Sequence, residues 1–295
     1  MTEDPALTVI LLTRNGARTI GRQLEALANQ TSSEPWELLV VDNGSSDRTL
    51  EIVEEYRSRI PSLRVADASG DRGAAHACNI GAREARGRAL AFCHDDDEVG
   101  AGWLEAMTSA LREYDVVGAR LEVDKLNEPW TIAFRGRPQT DGLVSWDLLS
   151  GYPPYIFGAT LGVTRAAHER IGGFDETILP SSEDMDYCWC ALAAGFDLHF
   201  APEAVIHYRY RATWSGIFHQ ARGYGIGNVR LYKKHRRLGL PAVETPGRLL
   251  LRRWFFLIKL LLLSRNRGSF ARFVWTLGMR VGLLSESVRQ RVLLP

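Results

Sequence analysis

The sequence predicts an α/β fold, a mixed and mainly parallel sheet flanked by helices, followed by a basic helical extension at its C-terminal end. Short apolar runs alternate with amphipathic stretches of helical period from residue 7 to residue 111. Several of those runs end abruptly in polar or acidic clusters. The charge balance then reverses: residues 1–204 carry 18 Lys and Arg against 33 Asp and Glu, and residues 205–295 carry 18 against 2.

Residues 7–12 are a short apolar run that reads as a buried strand, and the TRNGART stretch after it turns the chain into an amphipathic helix reaching about Gln30. Residues 37–41 make a second strand ending in DNGSSD, followed by a helix to about Tyr56. A third strand, 63–66, leads through Gly70 and Gly73 into a helix over 74–85. The fourth, 89–93, runs straight into His94, Asp95, Asp96 and Asp97, and a helix begins near Gly102. Strand and helix alternating in this way indicate an open, mainly parallel sheet. Such sheets collect ligands at the carboxyl ends of their strands, where Thr13, Asp42 and the aspartate cluster all fall.

Beyond residue 111 the pattern changes. YDVVGARLEV reads as a strand, residues 125–154 as irregular, residues 155–163 as another strand, GGFDE as a turn and residues 181–194 as a helix. No GxGxxG or GxxxxGK[ST] follows the first strand, which excludes a dinucleotide fingerprint and a P-loop. The N-terminal MTEDPALT has neither a basic nor an apolar segment of the secretory kind, so a cytoplasmic protein is expected. Cys78, Cys93, Cys188 and Cys190 form no CxxC pair and fit reduced thiols.

Each acidic cluster admits two readings when taken alone. Asp95, Asp96 and Asp97 make either a solvated turn or a site for a hard divalent cation such as Mg2+ or Mn2+. Asp42 either starts an Asx-turn or accepts from a nucleotide base. Glu183, Asp184 and Asp186 in one helical turn complement the helix dipole, though that role needs only one carboxylate.

In order and spacing, ILLTRN, VVDNGSSDRT, DRGAAHACNIGAREARG, ALAFCHDDDEV, IGGFDE and SSEDMDYCWCALAAGF resemble the family 2 glycosyltransferases of the GT-A fold, over about residues 7–235. The resemblance implies a nucleotide-diphosphosugar donor, a divalent metal (Mn2+ or Mg2+) held by the aspartate segment, and sugar transfer with inversion. Residue by residue, Asp42 matches the base-binding aspartate, with Thr13 and Arg14 lining the same pocket and Asp95 on the donor side. His94-Asp95-Asp96-Asp97 stands where the family usually reads Asp-x-Asp-Asp. Asp96 thus matches the principal metal ligand, and His94 replaces the first aspartate. Cys78 stands where an arginine is common, and Arg72 is the nearby substitute. Asp184 matches the catalytic base. His207 falls where some relatives place a metal-binding histidine, and Glu183 and Trp103 are expected on the acceptor side. Trp103 and Trp189 are candidates for stacking on a sugar, with a core role the competing and simpler reading of both.

The expected division is a catalytic domain over 1–212 and a helical extension over 213–295. Residues 214–239 read as a helix ending in Lys233, Lys234, Arg236 and Arg237, with Arg222 a candidate for the donor diphosphate. RRWFFLIKLLLLSRNR is apolar, too short to span a bilayer, and flanked or interrupted by Arg252, Arg253, Lys259 and Arg265. It is expected to lie on an anionic membrane surface, with a helical hairpin packed on the catalytic domain or a homodimer as the competing arrangement. The acidic body and the lack of a recognisable module argue against nucleic acid. The function expected is a glycosyltransferase acting on a glycan or lipid-linked acceptor at the inner face of the plasma membrane. The alternatives are a sugar nucleotidyltransferase, for which TRNGAR is a poor phosphate loop, and a degenerate scaffold suggested by His94 and Cys78.

Overall fold

The structure, a computed structural model, describes residues 4–71, 73–145, 152–237, 247–292 and 294, and of residues 247–253 the backbone alone. Strands Leu7–Thr13 (β1), Trp36–Asp42 (β2), Leu63–Asp67 (β3) and Ala89–His94 (β4) pair in parallel in the order β3-β2-β1-β4. Every residue of β1 is buried, and nearly every residue of β2 and β4, because helices cover both faces. That two-sided burial is why these strands read as unbroken apolar runs. Along β1, Ile10 and Leu12 enter one core cluster while Leu7, Val9 and Leu11 enter the other. Helices Ile20–Ala28 (α1), Thr49–Glu55 (α2) and Ala74–Glu84 (α3) connect the four strands.

The second half of the sheet is mixed. After the short Glu98–Val99 (β5) and helix Trp103–Glu113 (α4) come Val116–Glu122 (β6), helix Pro129–Arg135 (α5), Leu161–Thr164 (β7), helices Arg165–Ile171 (α6) and Glu183–Ala193 (α7), and Leu198–His207 (β8). The order continues β4-β7-β6-β8-β5, with β7 antiparallel to both its neighbours and β8 parallel to β6. The register sets Thr13 beside Asp42, Leu12 beside His94 and Glu122 beside His207. Antiparallel β7 begins where β4 ends, so the turn before it joins the same edge of the sheet.

Two expectations for this half are corrected. Residues 155–163 do not form one strand: Tyr155 makes an isolated bridge with Val144, Gly158–Thr160 is a 3-10 turn, and only Leu161–Thr164 joins the sheet. The backbone N–H groups of Phe157 and Gly158 donate to the side chains of Gln139 and Asp184, so they face side chains and not a neighbouring strand. Residues 125–154 also contain α5, opened by Pro129 at its first turn, where proline needs no N–H partner.

The tail forms helices Trp214–Arg237 (α8), Gly247–Leu262 (α9) and Arg267–Gln290 (α10). α10 lies against α8 at backbone distance. A Cβ at Gly225 would sit 2.3 Å from the Met279 carbonyl oxygen, and one at Gly282 would sit 2.2 Å from that of Arg222. Lys233 donates to Gln290, and Lys234 to Asp175 and Asp186, so half of the expected basic cluster is held within the molecule. Of the tail helices, α9 alone keeps a broad apolar exposure: Trp254, Phe255, Phe256, Ile258, Leu261 and Leu262 are exposed, as is Leu263 after it. None of the described helices is long and apolar enough to cross a membrane.

Candidate active site

The three aspartates after β4 point to three different partners. Asp95 turns toward β1, accepting from Thr13 Oγ1 at 2.5 Å and from the Arg14 N–H at 3.4 Å. Gly16 makes room for it, since a Cβ there would meet the Asp95 carboxylate at 2.0 Å. Asp96 pairs with Arg211, Nη1 to Oδ2 at 2.8 Å. Asp97 is buried, accepts from the Arg209 N–H at 2.8 Å, and has an Oδ2 with no hydrogen-bond partner. Burial pushes Asp95 up to about 6 and Asp97 well above the carboxylate range, with the charge of Asp96 adding to both. It lowers His94, keeping that imidazole neutral and its lone pair available.

Ligand atoms of His94, Asp96 and Asp97 lie within 4.8 Å of one another. Two carboxylates and a neutral imidazole suit a divalent cation such as Mn2+, and the buried, unpartnered Asp97 Oδ2 is an unused ligand atom in that set. The residues present therefore fit a divalent metal.

Asp42 closes the turn after β2, its two carboxylate oxygens accepting from the Ser45 N–H at 3.1 and 3.2 Å. Next to it, Asn43 Nδ2 donates to the carbonyls of Ala68 and Asp71, and its Oδ1 accepts from the Gly73 N–H. Asn43 thus ties the β2 turn to the loop that carries Arg72, which itself lies outside the described residues. Sequence reasoning overlooked Asn43.

Across the cleft, Ser182 adopts a left-handed conformation (φ 76°) that starts α7. Asp184 then faces the 3-10 turn, with Oδ2 accepting from the Gly158 N–H at 3.0 Å and Oδ1 from the Met185 N–H at 2.8 Å. Glu183 lines the cleft beside it. Asp186 points away and pairs with Lys234 and His235, each at 2.8 Å. The excess of carboxylates in this turn is thereby resolved: two face the cleft and one anchors α8. Desolvation pushes Glu183 up to about 8, with Asp184 adding to it, and raises Asp184 as well.

One cleft of about 420 Å³ brings the two clusters together, lined by His94 and Asp96 on one side and Glu183 and Asp184 on the other. Arg135, Arg209, Arg211, Tyr208 and Tyr224 also line it, and Trp275 and Met279 of α10 close it from the tail. The arginines were missed, although the alternation in HYRYR sets 209 and 211 on one face of an extended segment. The exposed Arg222 does not line the cleft.

The acceptor-side expectation for Trp103 is corrected, and three further residues singled out in the sequence lie outside the cleft lining. Trp103 is fully buried in the core and has no face for a sugar. Trp189 is likewise a core residue. His207 stands 2.5 Å from Glu122 Oε2, outside the His94, Asp96 and Asp97 group. Cys78 is buried in the core and takes no part in the cleft.

Residues 8–165 match the family model described as glycosyl transferase family 2, and residues 93–285 match that of glycosyl transferase family group 2. The chain belongs to glycosyl transferase family 2. It is a glycosyltransferase of the GT-A fold. Among similar proteins, glycosyltransferase AglE of Haloferax volcanii is 28% identical over 260 residues, covering 86% of this chain and 79% of that protein. The Escherichia coli UDP-Glc:alpha-D-GlcNAc-diphosphoundecaprenol beta-1,3-glucosyltransferase WfgD is 31% identical over 142 residues, 45% of this chain and 54% of that one. The chain spans less than half the length of several other curated relatives. Mannosyltransferase PcManGT of Pyrobaculum calidifontis, solved with GDP-Man and Mn2+, superposes with a TM-score of 0.61 at 18% identity, covering 96% of this family 2 chain and 88% of its own.

The raised pKa of Glu183 has a measurable consequence. A carboxyl held above its ordinary value of about 4.5 binds its proton more tightly in the folded protein than in the unfolded one. Its contribution to stability therefore falls as pH rises from about 4.5 through about 8. Relative to the parent, Glu183→Gln is expected to unfold at a higher temperature at pH 8.5, with the gap shrinking at pH 5. An equal gap at both values would contradict the shift.

Proposed function

We propose that this family 2 enzyme transfers a sugar from a nucleotide-diphosphosugar to a hydroxyl of a glycan or lipid-linked acceptor, with inversion and with a divalent metal. The observation that carries this is a shared cleft with a metal-fitting group, His94 and Asp96, on one wall and the fixed carboxylate of Asp184 on the other. The nucleotide lies along the ends of β1 and β2, against Thr13, Arg14, Asp42 and Asp95. His94, Asp96 and Asp97 hold the metal, which when bound stabilises negative charge on the departing diphosphate.

Asp184 takes the proton of the acceptor hydroxyl as its oxygen bonds to the anomeric carbon and the bond to the diphosphate breaks on the opposite face. The Gly158 and Met185 N–H groups fix both of its oxygens, so little reorientation accompanies the transfer. Burial raises its pKa above the ordinary carboxylate range, toward neutral pH, where a general base works best. Glu183 stands on the acceptor side. Support for donor and metal comes from the GDP-Man and Mn2+ of PcManGT, and for a lipid-linked acceptor from the diphosphoundecaprenol substrate of WfgD.

The same reading places the enzyme on the surface of an anionic membrane, at its cytoplasmic face, through α9. Seven large apolar side chains between Trp254 and Leu263 are exposed, with Lys259, Arg265 and Arg267 among and beside them. A second copy on this face would bring two strongly basic tails together, whereas an anionic bilayer complements the charge as well as the apolar surface.

Asp184→Asn is expected to lower turnover by roughly 10² to 10⁴ while donor binding survives; near-normal turnover sinks the assignment of the base. In sedimentation with vesicles, the parent should bind those containing phosphatidylglycerol and release them in high salt. The double variant Phe255→Glu, Leu262→Glu should not bind. Retained binding by that variant, or a concentration-dependent dimer in place of vesicle binding, contradicts the membrane reading.

A further inference from the structure

Arg135, at the end of α5, differs from the other two arginines of the cleft. Arg211 pairs with Asp96, and Arg209 donates from Nε to the Asp96 carbonyl and lies 3.8 Å from Glu98. Arg135 has no carboxylate partner among the described residues, and its buried Nε has no hydrogen-bond partner. Its guanidinium stacks on Trp275 of α10, 3.7 Å from the ring centroid, and lies 5.5 Å from the ring of Tyr210. Contact with aromatic faces offsets part of the cost of desolvating a cation but leaves its in-plane donors unsatisfied. Its neighbour Arg137, in contrast, is exposed and paired with Asp124.

The position is fixed from the tail side. Trp130 and Phe134 of α5 stack on each other, and Phe134 meets Trp275, so α5 and α10 hold the guanidinium between them at the cleft wall. Tyr224 lines the same cleft as Arg135, Glu183 and Asp184, and its phenol feels the positive charge of Arg135 and the negative charges of Asp184 and Glu183. A planar guanidinium with no carboxylate partner among the described residues, lining the same cleft as the catalytic base, is chemically matched to a phosphate oxygen pair.

We propose that Arg135 binds a phosphate group carried by the acceptor, so that the acceptor is a phosphate- or diphosphate-linked molecule whose hydroxyl is presented to Asp184. This rests on the reading of the cleft as a glycosyl-transfer site. In that reading the donor's diphosphate is met through a metal held by the His94 to Asp97 group, and Arg211 is already paired with Asp96, whereas Arg135 belongs to the wall made by α5 and α10. That wall adjoins α9, the helix with the exposed apolar face, so a phosphate at Arg135 suits an acceptor whose remaining part lies in a lipid surface.

The test is calorimetric titration of octyl diphosphate into the full chain already saturated with Mn2+ and whichever of UDP or GDP binds it, so that the donor side is filled. Octyl diphosphate should bind the parent, at least about tenfold more weakly bind Arg135→Gln, and bind Arg135→Lys in between. Octyl glucoside, which has no phosphate, should not distinguish the three proteins. Binding of the nucleoside diphosphate itself should be the same in all three. Unchanged octyl diphosphate binding in both variants overturns the proposal, as does a loss of nucleoside diphosphate binding, which would assign Arg135 to the donor. Should the Gln variant unfold, the parent and Arg135→Lys decide the matter by the same comparison. A parent chain that binds neither UDP nor GDP would instead remove the transfer-site reading on which the proposal stands.

Discussion

Two groups of buried or half-buried carboxylates face each other in this molecule, Asp95, Asp96 and Asp97 where the parallel strands end and Glu183 with Asp184 on the opposite wall, and the repulsion and desolvation within each group govern what surrounds them. Burial raises Asp95, Asp97, Glu183 and Asp184, so not all of them ionise without compensation. The compensation takes distinct forms. Asp95 receives the Thr13 hydroxyl, Asp96 receives Arg211, and Asp184 receives two backbone N–H groups. Asp97 keeps one oxygen without a partner, and that oxygen is where an added cation has most to offer.

The charge asymmetry of the chain follows from the same constraint. The acidic body carries the carboxylates, and the residues after 204 bring positive charge back to it: Arg209 and Arg211 at the cleft, and Lys234 on Asp186. For this the tail must approach closely. Glycines at 225, 278 and 282 let α8 and α10 meet at backbone distance, and Gly227 lets α8 press on Ser181, just before the turn that aims Asp184. The tail is therefore a wall of the site. Among the described side chains of the tail, those of α9 from Trp254 to Leu262 keep the broadest apolar face turned outward.

The parallel half of the fold was legible because burial on both faces leaves an unmistakable trace, an unbroken apolar run closed by polar residues. The aspartates at the end of β4 were legible for a related reason, since charge directly after a buried strand has to emerge at an edge. The mixed half carried weaker signals. YIFGATLGV is mostly apolar, and nothing in it tells that Gly158 gives its N–H to Asp184 instead of a neighbouring strand. Trp103 sits just after the acidic turn in sequence, but helical geometry directs it into the core. His207 and the arginines after it have similar polarity, and only the folded register separates the residue that meets Glu122 from those that reach the cleft. Arg135 had no sequence signal, because its character depends on Trp275, 140 positions away.

The central claim is that the cluster after β4 binds a nucleotide sugar together with a divalent metal. The most direct measurement is thermal unfolding of the full chain with a panel of UDP-, GDP- and dTDP-sugars, each with Mn2+ or Mg2+ and again with EDTA, for the parent and for Asp96→Ala. The account predicts that at least one donor raises the unfolding temperature of the parent, that EDTA removes the effect, and that Asp96→Ala abolishes it. Donor stabilisation that persists in EDTA and in Asp96→Ala would contradict it.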